Sequence, residues 1–300
     1  MEIRQKLPPI IDRNLFIGGI LLFLALLYTP LIVHWYDGWL NKNIGIIHEY
    51  FSHGLIGLPF AAYIAWTNRK LWRRLPDNPH PLGAALLILG GIFYLSGLTD
   101  WVNLSFPIIL AGICFWLKGI RGFKLQAFPL LLVLLSSPNS VPYLIEPYAL
   151  PLQSFIAGFV GFILGQFGLN VVVEEINLYV GGKIVEVAPH CAGLKMLFTS
   201  LYVGLMLLYW MGTLQSRRKS ILFLITAASI SVIANIIRNT LLTLFHGTDN
   251  VAAFEWLHEG WGGDFYSACM LGILVILINL LEKYFPTFEE EEIIQKIEEG

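Results

Sequence analysis

The sequence predicts an all-α polytopic membrane protein of about eight transmembrane helices, and three observations predict it. Of its 300 residues, 56% are hydrophobic and only 13% charged, where a water-soluble domain carries about a quarter charged. Apolar runs of bilayer-crossing length, roughly 20 residues, recur along most of the chain. The lysines and arginines collect in short clusters between those runs. The net charge is −2 with no extended basic block, so the lipid bilayer is the expected partner and nucleic acid is not.

Taken in order, the predicted spans lie near 14–34, 45–66, 82–99, 101–117, 150–168, 192–211, 220–245 and 264–282. The first is too long for a removable signal peptide and lacks a small-residue cleavage site, so it reads as a retained anchor. Between the fourth and fifth, AFPLLLVLLSSPNSVPYLIEPYA at 127–149 begins apolar and is then broken by Pro138, Pro142 and Pro147. It reads as a re-entrant or interfacial hairpin, because broken backbone at membrane depth is tolerated only against protein or a wet cavity. In NVVVEEINLYVGGKIVEV at 170–187, two β-branched runs flank Gly181-Gly182, which predicts a short extracytoplasmic β-hairpin. Residues 1–283 thus form one integral membrane domain. The remainder, 284–300, ends in FEEEEIIQKIEEG at 288–300 and reads as an acidic cytoplasmic tail.

Orientation follows from the basic clusters. Arg4, Lys6 and Arg13 precede the first span, and Arg69, Lys70, Arg73 and Arg74 follow the second. Lys118, Arg121 and Lys124 follow the fourth, and Arg217, Arg218 and Lys219 lie between the sixth and seventh. Eight crossings place every cluster on one side, the cytoplasm, with both termini there and the protein in the inner (plasma) membrane. A further crossing by 127–149 would put the Arg217–Lys219 loop outside.

This topology gathers three reactive residue types at the extracytoplasmic face. Cys191 opens the sixth span, where the helix dipole and unpaired N–H groups favour a thiolate. Lys195, one turn on, adds positive charge on the same face. Arg238 lies about 27 Å along the seventh span, near its outer end, with Asn235 on the same face. An arginine among apolar residues must face protein or water, and its fork of donors suits an oxyanion or a carboxylate. His258 stands in FEWLHEGWGGDF before the last span and supplies a base of suitable pKa. His190 and His246 are the other candidates for that role. Cys114 and Cys269 read as buried small hydrophobes. Three cysteines without close spacing make neither a disulfide scaffold nor a zinc or redox motif, and no cofactor is implied.

Those residues carry a family resemblance. Cys191-Ala-Gly193 followed by Leu-Lys195, Asn235-Ile-Ile-Arg238, and His258 at the head of the last span resemble the signature blocks of the exosortase/archaeosortase family. YFSHGLIGLPFAAYIAW at 50–66 is similar to the family's early Tyr-x-His-Gly span, and the Pro-broken segment with Leu152-Gln153 to its middle section, so the likeness covers roughly 45–282 and suits a cyanobacterial-type branch. The resemblance implies a cysteine-dependent transpeptidase-like sorting enzyme of the cell envelope. Its substrates would be membrane-anchored proteins with a C-terminal Pro-Glu-Pro-type motif, a transmembrane helix and a basic cluster. Carried over, Cys191 is the nucleophile, Arg238 the oxyanion or substrate stabiliser and His258 the acid/base. Ala192 departs from the family, where many members have serine, and the third position varies between His and Arg.

Other classes compete. His48-Glu49 with His53 hints at a metalloprotease, but five-residue spacing puts the histidines about 140° off one helical face. A transporter would explain broken helices and a buried arginine, although no internal repeat pairs two broken segments. A non-enzymatic envelope or exopolysaccharide assembly factor would be favoured by an inert Cys191.

Overall fold

The computed structural model describes residues 13–40, 50–187, 193–258 and 260–284. The chain is mostly helical. It runs through α1 (Arg13–Leu40), α2 (Gly54–Thr67), α3 (Arg69–Arg74), α4 (Pro81–Leu95), α5 (Thr99–Ser136), α6 (Val141–Ile145) and α7 (Leu150–Gln166). Strands β1 (Val171–Glu174), β2 (Asn177–Val180) and β3 (Lys183–Glu186) follow, and then α8 (Leu194–Trp210), α9 (Arg217–Gly247), α10 (Val251–His258) and α11 (Trp261–Tyr284). Among the described residues, four segments are long and apolar enough to cross a membrane: Gly18–Leu40, α5, α9 and α11. Shorter apolar helices, α2, α4, α7 and α8, fill the other predicted spans.

Helix α5, at 38 residues, is two antiparallel arms and not one rod. Gly119 has φ 62° and ψ −152°, a conformation open essentially to glycine alone. A Cβ there would also strike the carbonyl of Asn78. The chain reverses at this point, and Phe123 stacks on Phe115 with ring centroids 4.4 Å apart, where a straight helix would separate them by about 12 Å. The second arm, 120–136, then runs antiparallel to α2. Asn68, just past the end of α2, donates to the Leu125 carbonyl at 3.1 Å, and His53, just before its start, bonds the Leu135 carbonyl at 3.0 Å. At the far end the chain returns to where α5 began: Asn103 donates to the Pro138 carbonyl at 2.8 Å and the Ser140 amide to Asp100 at 3.2 Å. Thus the first ten residues of the predicted 127–149 hairpin are helical, and the break by prolines is confined to 137–149.

Helices α8 and α9 are antiparallel, but α9 is nearly twice as long. A Cβ at Gly204 of α8 would sit 3.4 Å from Phe223, near the start of α9, whereas Gly193, before α8, lies against Asn235. About 12 residues of α9 therefore project some 18 Å past the end of α8. On that projection sits a second layer. Ile156, Ala157, Val160 and Leu164 of α7 pack with Leu178, Val187 and Ile236 in one buried cluster, and Gln153 donates to the Val187 carbonyl at 2.8 Å. Helix α7, read from the sequence as the fifth span, thus stacks on the sheet and the end of α9, and its first turn reaches the bundle through Leu152. Phe155, Phe159 and Phe162 face outward from it.

The sheet has three antiparallel strands in the order β1-β2-β3, where a two-stranded hairpin was expected. The first β-branched run is itself folded, by a turn at Glu175 with φ 54°. The expected turn at Gly181-Gly182 is present, with φ 58° and 77° and Val180 facing Lys183. Such positive φ at both central residues defines the hairpin turn that glycine supplies without strain.

Within the bundle, buried polar side chains tie α1 to α5. Trp35 donates to Asn103 at 2.8 Å and Tyr28 bonds Ser105 at 2.8 Å. In an apolar setting each such group must be partnered, so these bonds select one packing. At the opposite end Lys118, only 6% exposed, donates to the Asp77 carboxylate and the Leu75 carbonyl, which fastens the reversal at Gly119 to the segment after α3.

Candidate active site

Helices α8, α9, α10 and α11 converge where α9 emerges from the bundle. Cys191, with His190 and Ala192, lies outside the described residues, as do His48 and Glu49. The chain is described again from Gly193, which has φ 81° and ψ 11°. A Cβ at this position would lie 2.6 Å from Asn235 Cγ. Glycine is thus required twice over, by its left-handed backbone and by the amide packed against it. The residue directly after the Cys-Ala pair is in this way seated on Asn235, one turn before Arg238. Lys195 is half-buried at the start of α8.

Arg238 reaches α10. One of its terminal nitrogens donates to the carbonyls of Leu257 and His258, both at 3.3 Å. These belong to the C-terminal end of α10, whose last carbonyls lack intrahelical partners, and a cation is favoured there. Arg238 and His258 are therefore joined, but through the histidine backbone. The Nε–H of Arg238 is buried and has no acceptor among the described residues. Tyr266 of α11 donates to the Ala234 carbonyl at 2.6 Å, holding α11 against α9 beside the arginine.

The His258 ring stacks on Phe254, with centroids 5.1 Å apart and planes at 12°. Phe254 in turn meets the His246 ring at 5.2 Å. Together with Lys183, Val251 and Glu255 these residues line a cavity of ≈ 290 Å³. Lys183, from the turn between β2 and β3, pairs with Asp249, and the ammonium holds the Asp249 carboxyl below its usual range. Two of the three candidate histidines thus share one cavity. Its other walls, Phe254, Glu255 and Lys183, were not singled out from the sequence. The signal for the first two was present, because Phe254 and Glu255 precede His258 by four and three residues and so share its helical face. Lys183 comes from a strand turn, and no local pattern could have joined it to them.

The cysteines away from the site differ from expectation in one case. Cys114 is half-buried on the first arm of α5, whereas Cys269, expected to be buried, is exposed on α11.

A helical membrane protein with a polar cluster where helix α9 leaves the bundle is the class that fold and site define. The family model for transmembrane exosortases matches residues 35–275. That span holds α2 through α10 and most of α11, and the chain belongs to the transmembrane exosortase family. No curated protein and no solved structure gives a significant match.

Proposed function

We propose that the protein is a membrane-embedded cysteine peptidase or transpeptidase that processes envelope proteins at a C-terminal Pro-Glu-Pro-type motif lying before a transmembrane helix and a basic cluster. Cys191 attacks the scissile carbonyl, Arg238 stabilises the resulting oxyanion, and His258 protonates the leaving amine. The products of this step are a thioacyl enzyme and the released tail. The observation that carries this reading is the buried Nε–H of Arg238, without an acceptor among the described residues, beside the His258 backbone. A buried donor without a partner costs about 1–3 kcal/mol, and an oxyanion formed next to it would remove that cost in the transition state. Gly193 seated on Asn235 supports the placement of the cysteine segment at the same level.

In this reading the membrane is crossed eight times, by α1, α2, α4, the two arms of α5, α8, α9 and α11. Helix α7 and the sheet lie on the extracytoplasmic side with the site. Both termini face the cytoplasm, residues 1–283 form the membrane domain and 284–300 an acidic tail.

The test is a reporter carrying such a tail, co-expressed with the enzyme. Cys191→Ala should leave the precursor uncut at normal enzyme abundance. Arg238→Ala should slow conversion about 10²–10³-fold, the usual cost of losing an oxyanion donor, and Arg238→Lys should not restore it, because one ammonium cannot both hold the α10 carbonyls and face the oxyanion. Conversion by Cys191→Ala at the wild-type rate would sink the enzyme reading, and a Cys191 inert to thiol reagents would favour an assembly factor.

A further inference from the structure

The cavity beside His258 has a charge arrangement that the first half of the reaction does not use. Lys183 is paired with Asp249, so its charge is neutralised. Glu255 is solvent-facing, and among the described residues its carboxylate has no ion-pair partner. The remaining walls are the His246 and His258 rings and, between them, the Phe254 ring. With the histidines counted as neutral, the lining together with Asp249 carries one excess negative charge, and three of its walls are aromatic rings. An ammonium is attracted both by a carboxylate and by an aromatic face, whereas an anion is repelled by Glu255.

We infer that this cavity is the acceptor site of the transpeptidation, and that the acceptor is a primary amine. It binds as an ammonium against Glu255 and Phe254. The inference rests on the cysteine-peptidase reading above, because it concerns resolution of the thioacyl enzyme. Neutral His258 takes one proton from the bound ammonium. The amine nitrogen then attacks the thioacyl carbonyl, the C–N bond forms and the C–S bond breaks with its electron pair passing to sulfur. A second nitrogen proton passes to the thiolate. Thioacyl enzyme, ammonium and neutral imidazole thereby become amide, thiol and imidazolium, with protons and charge balanced. Glu255 lies three residues before His258 on α10, so a cation held by the first is within reach of the second.

The test uses the full-length protein in phosphatidylcholine nanodiscs with the tailed reporter and a biotinylated alkylamine. Mass spectrometry reads the ratio of amine-conjugated to hydrolysed reporter within the precursor consumed. The wild type should give conjugate, and Glu255→Gln should lower that ratio at least tenfold. Hydrolysed reporter alone, or a ratio unchanged by Glu255→Gln, overturns the inference while leaving the peptidase reading intact. A second arm replaces the soluble amine by phosphatidylethanolamine in the disc. Conjugate in that arm identifies a membrane-borne amine, and conjugate only in the first identifies a soluble one. Should no precursor be consumed, the peptidase reading fails, and a diazirine-bearing alkylamine then decides the cavity separately. It should label residues within 246–258, with competition by butylamine but not by butanol, and the labelling should be lost in Glu255→Gln. Labelling elsewhere, or equal competition by the alcohol, overturns the binding claim.

Discussion

Gly193 shows how one residue without a side chain can set the geometry of a site. Its φ of 81° costs a residue bearing a Cβ about 1–2 kcal/mol, and the Asn235 amide occupies the space a Cβ would need. Gly193→Ala should therefore lower the thermal unfolding midpoint in detergent and displace the cysteine segment, cutting reporter conversion at least tenfold. Part of that penalty is the clash with Asn235, so Asn235→Ala should be less harmful in the Gly193→Ala background than in the wild type. Strictly additive effects on the midpoint would mean that the two residues do not press on each other. Arg238 makes a different point at the same scale. Its partners in this structure are backbone carbonyls of α10, so it positions the segment bearing His258.

Among the elements, α5 and α7 exchange, in the proposed topology, the roles that hydropathy assigned them. Both are apolar and both form helices, but the second arm of α5 lies inside the bundle, with Leu132 and Val133 buried against Ala61, Ile64 and Tyr202. Helix α7 lies on the sheet instead. Both assignments count five crossings before α8, so the orientation of α8, α9 and α11 is the same in each. They are separated at 137–149. A cysteine replacing Asn139 or Tyr148 should react with a membrane-impermeant maleimide in intact cells, as should one replacing Asp249, whereas one replacing Arg218 should be shielded. Shielding at 139 together with labelling at 249 would restore the hairpin to the cytoplasmic side and make α7 a span after all.

For the molecule as a whole, the consequence is a division into two layers: a bundle anchored by basic residues at one end, and a smaller layer of α7, sheet, α10 and the end of α9 at the other. The proposed chemistry sits at their junction and draws on residues from separate elements. Residues acting as one catalytic unit lose activity non-additively. The triple variant Cys191→Ala, Arg238→Ala, His258→Ala should thus convert the reporter little more slowly than Cys191→Ala alone. His190→Ala should retain substantial processing. His246→Ala should retain it as well, since the Phe254 ring lies between His246 and His258. Normal processing by His258→Ala alongside a dead His190→Ala would move the base role.

What the linear chain settled by itself is chemical and local: membrane residence, the order of the candidate Cys, Arg and His, and the glycine turn at 181–182. Each depends on side-chain type or short-range backbone sterics, which neighbours in sequence determine. Tertiary structure alone decided which apolar helices enter the bundle, because α7 and the second arm of α5 have similar composition and differ in what they pack against. The reversal at Gly119 belongs to the same category, since a glycine among lysines reads equally well as loop or helix until Asn78 and Lys118 are seen closing around it. So does the joining of Lys183, His246, Glu255 and His258 around one cavity. Their contacts span a strand turn and two helices, and proximity of that kind is a property of the folded packing rather than of any spacing along the chain.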